Sequence, residues 1–343
     1  GEFESKIWLN ANESAGPGLY QINGSCINRY PDFQPLELLS AYSQYSSVAA
    51  ENLLATRGAD EGIELIIRTF CRAYQDSILI CPPTYGMYAI SAQNHGAKVE
   101  KAPLINNQLN LDSIASFVEK VKVVFLCSPG NPTGNLLAEQ DVKQVLDLFQ
   151  GKAMVVVDEA YIEFAPDNSA TKWLNKYDNL IVLRTLSKAF VLAGLRCGFT
   201  IASEATIELL SKVIAPYPVP APVAQIATSA LSVESIMQMQ IRVRESNKLR
   251  NELYLWLQQQ PWCEKAFESS ANFVLFKTPY KDELFSTLKE QNVLIRDQSK
   301  QLQLDNCLRI SIGSAKELEV VKQIIISAMA NRLMVNKSNE VEV

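Results

Sequence analysis

The chain has 343 residues, 48% apolar and 20% charged, which supplies a sizeable core and argues against intrinsic disorder. Its net charge of −5 argues against a phosphate-backbone binder, so no nucleic-acid partner is expected. A single histidine, His95, leaves only one base for any Ser-His-Asp triad and excludes an HExxH zinc site.

At about 150 residues per domain, the length suits two domains, or one large α/β unit with an appendage. Cys26, Cys71, Cys81, Cys127, Cys197, Cys263 and Cys307 are scattered, with no CxxC pair, and most lie in apolar runs. That is the pattern of reduced, buried thiols in a cytoplasmic protein, not of a disulfide framework or a metal site. No apolar stretch reaches the roughly 18 residues that span a bilayer, and no signal-peptide pattern is present, so no membrane partner is expected. The chain opens on Gly1-Glu2-Phe3 rather than Met, so part of the natural N-terminus is expected to be missing.

In chain order, apolar runs of strand length at 78–81, 98–102, 121–127, 153–157, 180–185 and 197–202 alternate with helical patterns near 61–74, 85–94, 111–119, 137–150, 169–176 and 204–213. His95 reads as polar decoration in the last turn of the second helix, with Gly96 just past its end. Several strands are continuously apolar, which implies burial on both faces. This alternation predicts an α/β fold with a mainly parallel sheet and right-handed crossovers, whose ligands bind beyond the strands' carboxyl ends. Four prolines between Ala215 and Pro222 break the pattern. A long helical stretch over 223–260 follows, then strands near 273–276, 293–296 and 308–312 and helices near 281–290 and 315–331, predicting a smaller α+β domain. The polar end, 334–343, is expected to fray.

The strand ends carry the chemistry. After 153–157 come Asp158 and, three residues on, Tyr161. A carboxylate at a dry strand end is costly unless a cation faces it, although it also reads as a helix cap; a lone tyrosine is usually packing. After 180–185 comes Lys188, beside Thr185 and Ser187, where burial would lower the amine's pKa and suit it to a Schiff base; a lone lysine is usually solvated. Arg196 could grip a phosphate bidentately or form a surface ion pair. The turn Ser128-Pro129-Gly130-Asn131-Pro132-Thr133-Gly134 sets the Asn131 amide at the crevice, and Arg57-Gly58-Ala59-Asp60 opens a helix whose free N–H groups form a phosphate cradle or an ordinary N-terminus. Tyr85 follows Pro82-Pro83 and could stack on a planar ring. Each feature alone has an ordinary structural reading. Together they are the set pyridoxal phosphate requires: an amine, a carboxylate for the ring nitrogen, donors for the 3′-oxygen, an aromatic cover and an anion cup.

With those residues in hand, the sequence resembles the fold-type-I pyridoxal-phosphate aminotransferases, and within them the histidinol-phosphate aminotransferases. The resemblance is carried by Asn28-Arg29-Tyr30-Pro31, Arg57 to Gly62, Cys81 to Tyr88, Ser128 to Gly134, Asp158 to Phe164, Arg184 to Phe190, Leu195 to Phe199 and Cys307 to Ile310, and covers about residues 8–330. It implies a mainly parallel seven-stranded sheet in a large cofactor-binding domain over 31–222. An N-terminal segment, 1–30, contributes to the small domain and dimer contacts, and 223–343 forms an interdomain helix and the small domain.

The same resemblance implies that Lys188 forms the aldimine with the cofactor and then shuttles the α-proton, and that Asp158 pairs with the pyridinium. Tyr161 and Asn131 hold the 3′-oxygen, and Tyr85 covers the ring. Ala59, Asp60, Thr185, Ser187 and Arg196 bind the phosphate, and Tyr30 reaches the cofactor phosphate of the other subunit in a homodimer. Arg296, Arg309, Asn12 and Tyr30 are implied in substrate binding. The implied reaction interconverts histidinol phosphate plus 2-oxoglutarate with imidazole-acetol phosphate plus glutamate, in histidine biosynthesis. An aromatic aminotransferase, a phospho-amino-acid decarboxylase and a non-catalytic pyridoxal-phosphate sensor are the alternatives. Two departures stand out: about two dozen N-terminal residues of the family pattern are lacking, and Gly130 replaces a more usual Asn, which implies a loosened turn.

Overall fold

The structure is a computed structural model and describes residues 6–14, 24 and 27–341. Gly1-Glu2-Phe3 and Cys26 therefore lie outside the described residues. A short first strand, β1 (Ile7–Trp8), precedes helix α1 (Leu36–Ser46). Then follow β2 (Leu53–Thr56), α2 (Gly58–Phe70), β3 (Ser77–Ile80), α3 (Met87–His95), β4 (Lys98–Lys101), α4 (Leu111–Ala115), β5 (Val123–Cys127), α5 (Glu139–Phe149), β6 (Met154–Asp158), β7 (Leu180–Thr185), β8 (Gly198–Ala202) and α6 (Glu204–Ser211). Strands β2 to β8 make one seven-stranded sheet in the order β2-β8-β7-β6-β5-β3-β4. Every pairing is parallel except those of β8, which runs against both β2 and β7.

The period of two explains why this sheet reads as unbroken apolar sequence. Val124, Val155, Val157, Leu180 and Val182 face one core, shared with α1 and α5, while Val123, Phe125, Val156, Ile181 and Leu183 face a second, shared with α2, α3 and α6. Each such side chain contributes about 1.5–3 kcal/mol on burial, so both faces specify the register strongly.

Helices α7 (Ala221–Ala230) and α8 (Val233–Gln258) lead to β9 (Lys265–Ala266), β10 (Phe273–Lys277), α9 (Lys281–Glu290), β11 (Val293–Leu294), β12 (Arg296–Asp297), β13 (Cys307–Ser311) and α10 (Ala315–Val341). A four-stranded antiparallel sheet, β12-β13-β10-β9, packs against α9, α10 and the end of α8. Strand β1 pairs with β11, and Leu9 is buried in this second core. Helix α8 spans both regions: Met239 and Val243 pack with the large sheet, Leu253 and Leu257 with the small one.

Several elements differ from the sequence reading. The strand over 53–56 is absent from the sequence reading; its one partner in the sheet, β8, lies far along the chain, so nothing local marks it. The expected helix over 223–260 is two helices: Ser232 is extended (ψ 154°) and its hydroxyl caps the N–H of Ser235, which restarts the helix. The expected helix over 169–176 is one short 3-10 turn, Ala170–Trp173, with the N–H of Ala170 drawn onto the Glu159 carboxylate. The expected helix over 111–119 stops at Ala115, that over 61–74 stops at Phe70, and α10 continues to Val341 rather than ending near 331. His95 does close α3, with Gly96 left-handed beyond it (φ 86°), and its Nε2 lies 2.8 Å from the Cys71 carbonyl. The six described cysteines are free thiols.

Candidate active site

A cleft of about 570 Å³ opens at the carboxyl ends of β5, β6 and β7 and is closed on its far side by β12 and β13. Its lining brings together Asn12, Ala59, Asp60, Tyr85, Asn131, Asp158, Tyr161, Thr185, Ser187, Lys188, Arg196, Arg296 and Arg309. Tyr30 is not among them. It is 82% exposed and stacks on Tyr217, with ring centroids 4.7 Å apart.

Asp158 is the last residue of β6 and sits opposite Cys127 and Leu183 in the neighbouring strands, so its carboxylate is set into the sheet end. Oδ2 accepts from the Tyr88 phenol at 2.6 Å and Oδ1 from the N–H of Ala160 at 3.1 Å. No cation pairs with it among the described residues, and burial pushes its pKa up to about 6. The Tyr161 hydroxyl accepts from the amides of Asn12 (2.8 Å) and Asn131 (3.3 Å), which leaves its own proton free to donate.

The lysine loop follows β7. Lys188 Nζ donates to the Ala11 carbonyl at 3.1 Å and stands 5.7 Å from the Tyr161 ring centre. Burial, followed by the nearby Arg309 charge, lowers its pKa to about 8, so about a tenth is free amine at pH 7, far more than for an ordinary lysine. Val191 (φ 62°) and Arg196 (φ 54°) are both left-handed, an uncommon state for a β-branched residue, and they fold the loop back so that Arg196 returns toward β7.

There Arg196 donates to the Ser187 hydroxyl at 3.2 Å and to Asp60 Oδ2 at 3.2 Å, while the Thr185 and Ser187 hydroxyls are 2.9 Å apart. Tyr85 donates to Asp60 Oδ1 at 3.0 Å. The start of α2 completes the cup. Gly58 is left-handed, and a Cβ there would meet Arg196 Nη2 at 2.7 Å; a Cβ on Gly198 would meet Ala59 N at 2.8 Å. Gly58 therefore keeps room for the Arg196 guanidinium and Gly198 for the first N–H groups of the helix, which have no intrahelical partner.

On the opposite wall, Arg309 donates to Asn131 Oδ1 at 2.6 Å and to the Asn10 carbonyl at 2.9 Å, and its Nε is buried without a partner among the described residues. Burial lowers its pKa to about 10. Arg296 is its register partner across β12 and β13, so two guanidiniums face each other. Like charges directly opposite are unfavourable unless an anion sits between them.

The donor set matches pyridoxal phosphate: an uncompensated carboxylate on the floor for a protonated ring nitrogen, an uncommitted phenol proton for the 3′-oxygen and a deprotonatable amine beside it. At the far end lie a guanidinium, two hydroxyls and a helix start for the phosphate. Gly130 leaves no slack in its turn: its N–H bonds to Asn135 O at 2.7 Å and its carbonyl accepts from Gly134 N at 2.8 Å. The residue that sequence reasoning missed is Tyr88. It lies in the quoted 81–88 motif, three positions after Tyr85, and that spacing at a helix start was the available signal.

Fold and cleft together define a pyridoxal-phosphate-dependent aminotransferase of fold type I, and residues 5–325 match the family model for class I and II aminotransferases. The histidinol-phosphate aminotransferase of Colwellia psychrerythraea is 58% identical over 334 residues, covering 94% of this chain and 90% of that protein. That of Haemophilus influenzae is 50% identical over 320 residues, covering 93% and 91%. The chain belongs to the histidinol-phosphate aminotransferase family. In fold it is similar to the Sinorhizobium meliloti histidinol-phosphate aminotransferase, solved in complex with pyridoxal-5′-phosphate, with a TM-score of 0.84, 20% identity and coverage of 95% and 91%. Among the described residues, no helix is long and apolar enough to cross a membrane.

Proposed function

We propose that the cleft transfers an amino group between histidinol phosphate and 2-oxoglutarate in histidine biosynthesis. The observation that carries this reading is the wall of paired arginines facing the floor of Asp158 and Lys188. Histidinol phosphate has a phosphate and no carboxylate, whereas glutamate has two carboxylates. One site must therefore accept either anion in turn, which guanidinium forks do and apolar walls do not.

Bound pyridoxal phosphate supplies an aldehyde that condenses with amines and a ring that withdraws electrons from the α-carbon. Lys188 would hold it through Nζ and, once released, would serve as the base that moves the substrate α-proton. An amine with a pKa near 8 exchanges protons readily at neutral pH. Asp158 keeps the ring nitrogen protonated. Tyr161 and Asn131 bond the 3′-oxygen, and Tyr85 covers the ring. The N–H groups of Ala59 and Asp60, the hydroxyls of Thr185 and Ser187 and the Arg196 guanidinium bind the phosphate. Arg309 and Arg296 take the substrate anion, with Asn12 orienting Tyr161 beside it. Tyr30, exposed on its own chain, is free to serve the site of a second copy in a homodimer, as the family resemblance implies, and the free thiols of the described cysteines fit an enzyme working in the cytoplasm.

Borohydride reduction followed by peptide mapping tests the covalent assignment, and a pyridoxyl adduct on any lysine other than Lys188 overturns it. Half-transamination with histidinol phosphate, phenylalanine and threonine phosphate tests the substrate. Rapid turnover with phenylalanine alone would point instead to an aromatic aminotransferase.

A further inference from the structure

Tyr88 has a role the reaction so far leaves unused. It is fully buried on α3, its ring lies flat on Phe125 of β5 (centroids 4.7 Å, 11°), and it meets Tyr85 edge-on at 5.7 Å and 84°. Those contacts leave the ring little freedom to turn, and its hydroxyl ends 2.6 Å from Asp158 Oδ2. That length is typical of an O–H donating to an ionised oxygen. The other groups facing Asp158 are the Cys127 thiol on β5, Asp60 on α2, the Tyr85 phenol, and Glu159 and Tyr161 on its own segment. None is a cation. Beyond the single N–H of Ala160, Tyr88 is the donor that stabilises this carboxylate before any ligand arrives.

We propose that Tyr88 is a positioning residue: its phenol orients the Asp158 carboxylate and keeps it ionised for the cofactor's ring nitrogen. The inference rests on the assignment of Asp158 to that nitrogen. Burial already raises the Asp158 pKa to about 6, and the bond from Tyr88 opposes that rise. Without the phenol the acid would take up its proton at a higher pH, and a neutral carboxyl attracts a pyridinium weakly. A ring without a nitrogen would be indifferent to the change.

The test titrates the cofactor-free full-length chain with pyridoxal phosphate and with its deaza analogue, in which C–H replaces the ring nitrogen. Wild type, Tyr88→Phe and Asp158→Asn are compared. Tyr88→Phe is expected to weaken pyridoxal phosphate about tenfold, the scale of one hydrogen bond to a charged group, and to leave the analogue unchanged. The loss should widen from about pH 8 toward about pH 6, because the variant's carboxyl neutralises first. A fluorinated tyrosine at position 88 keeps the shape and strengthens the donor, so it should narrow the acid-side loss below that of wild type and provides a second reading if Tyr88→Phe folds poorly. If Asp158→Asn discriminates the two ligands and neither change at position 88 does, or if Tyr88→Phe weakens both equally, Tyr88 merely packs and the inference fails. If Asp158→Asn weakens pyridoxal phosphate no more than its analogue, the ring-nitrogen assignment fails first and takes this inference with it.

Discussion

Asp158 and Glu159 are neighbours in the chain, yet the end of β6 turns them to opposite faces of the sheet. Glu159 faces the core, where Arg184 donates to it at 2.7 Å, Ser169 at 3.0 Å, and the N–H of Ala170 completes its shell. Arg184 in turn reaches Glu163 and Ser169. Asp158 faces the cleft with a phenol and one N–H but, among the described residues, no cation. A buried charge that only has to persist is given its counter-charge by the fold. A charge that has to meet a ligand is left without one, and burial raises the Asp158 pKa to about 6.

The largest expected effect separates the two acids by chemistry. Asp158→Asn should slow half-transamination about 10³-fold, the size of losing one preorganised electrostatic contact in a dry site, without lowering the melting temperature. A variant that loses its fold along with its rate would erase the contrast. Glu159→Gln should do the reverse, destabilising the protein by about 3–5 kcal/mol in urea unfolding because Arg184 is left buried with its nearest charge removed. Full stability in that variant would mean Glu163 alone suffices for Arg184.

A third measurement sharpens the same contrast through pH. Because the folded-state pKa of Asp158 is raised to about 6 from 3.8, the folded protein binds this proton more tightly than the unfolded chain. Its contribution is therefore present below about pH 4 and is lost as pH rises through about 6. In cofactor-free protein, Asp158→Asn should match wild type near pH 4 and exceed it by up to about 3 kcal/mol near pH 7, from a shift of about two pKa units. A pH-independent difference would mean that this carboxylate is not the uncompensated one. Smallest is the effect on the opposite wall. Arg309→Ala should raise KM for glutamate about tenfold or somewhat more while kcat changes less, as expected for a charge-assisted bond to a substrate anion. An unchanged KM would assign the carboxylate to Arg296 or another group.

Much of this was legible in the chain. The runs 121–127, 153–157 and 180–185 announce themselves because a parallel sheet covered on both faces needs apolar residues at consecutive positions, and the polar residues that end them, Asp158, Thr185 and Lys188, must then emerge where such sheets bind ligands. The helix end at His95 was readable for a local reason, the left-handed glycine just beyond it, whereas α2 starts at Gly58, ahead of the expected start at 61. The strand Leu53–Thr56, the break at Ser232 and the irregular turns around 162–173 were not legible, because their hydrogen-bond partners are distant or lie in side-chain carboxylates.

Residue types and local periodicity, then, are enough to identify the chemistry available and the layer that carries it. They do not state which of two adjacent acids receives a counter-charge, that Tyr88 reaches Asp158 across 70 residues, or that Arg296 and Arg309 come to face each other. Those facts follow from strand register and helix placement, where a shift of one residue would exchange the two faces of β6 and leave Asp158 paired and Glu159 at the cleft.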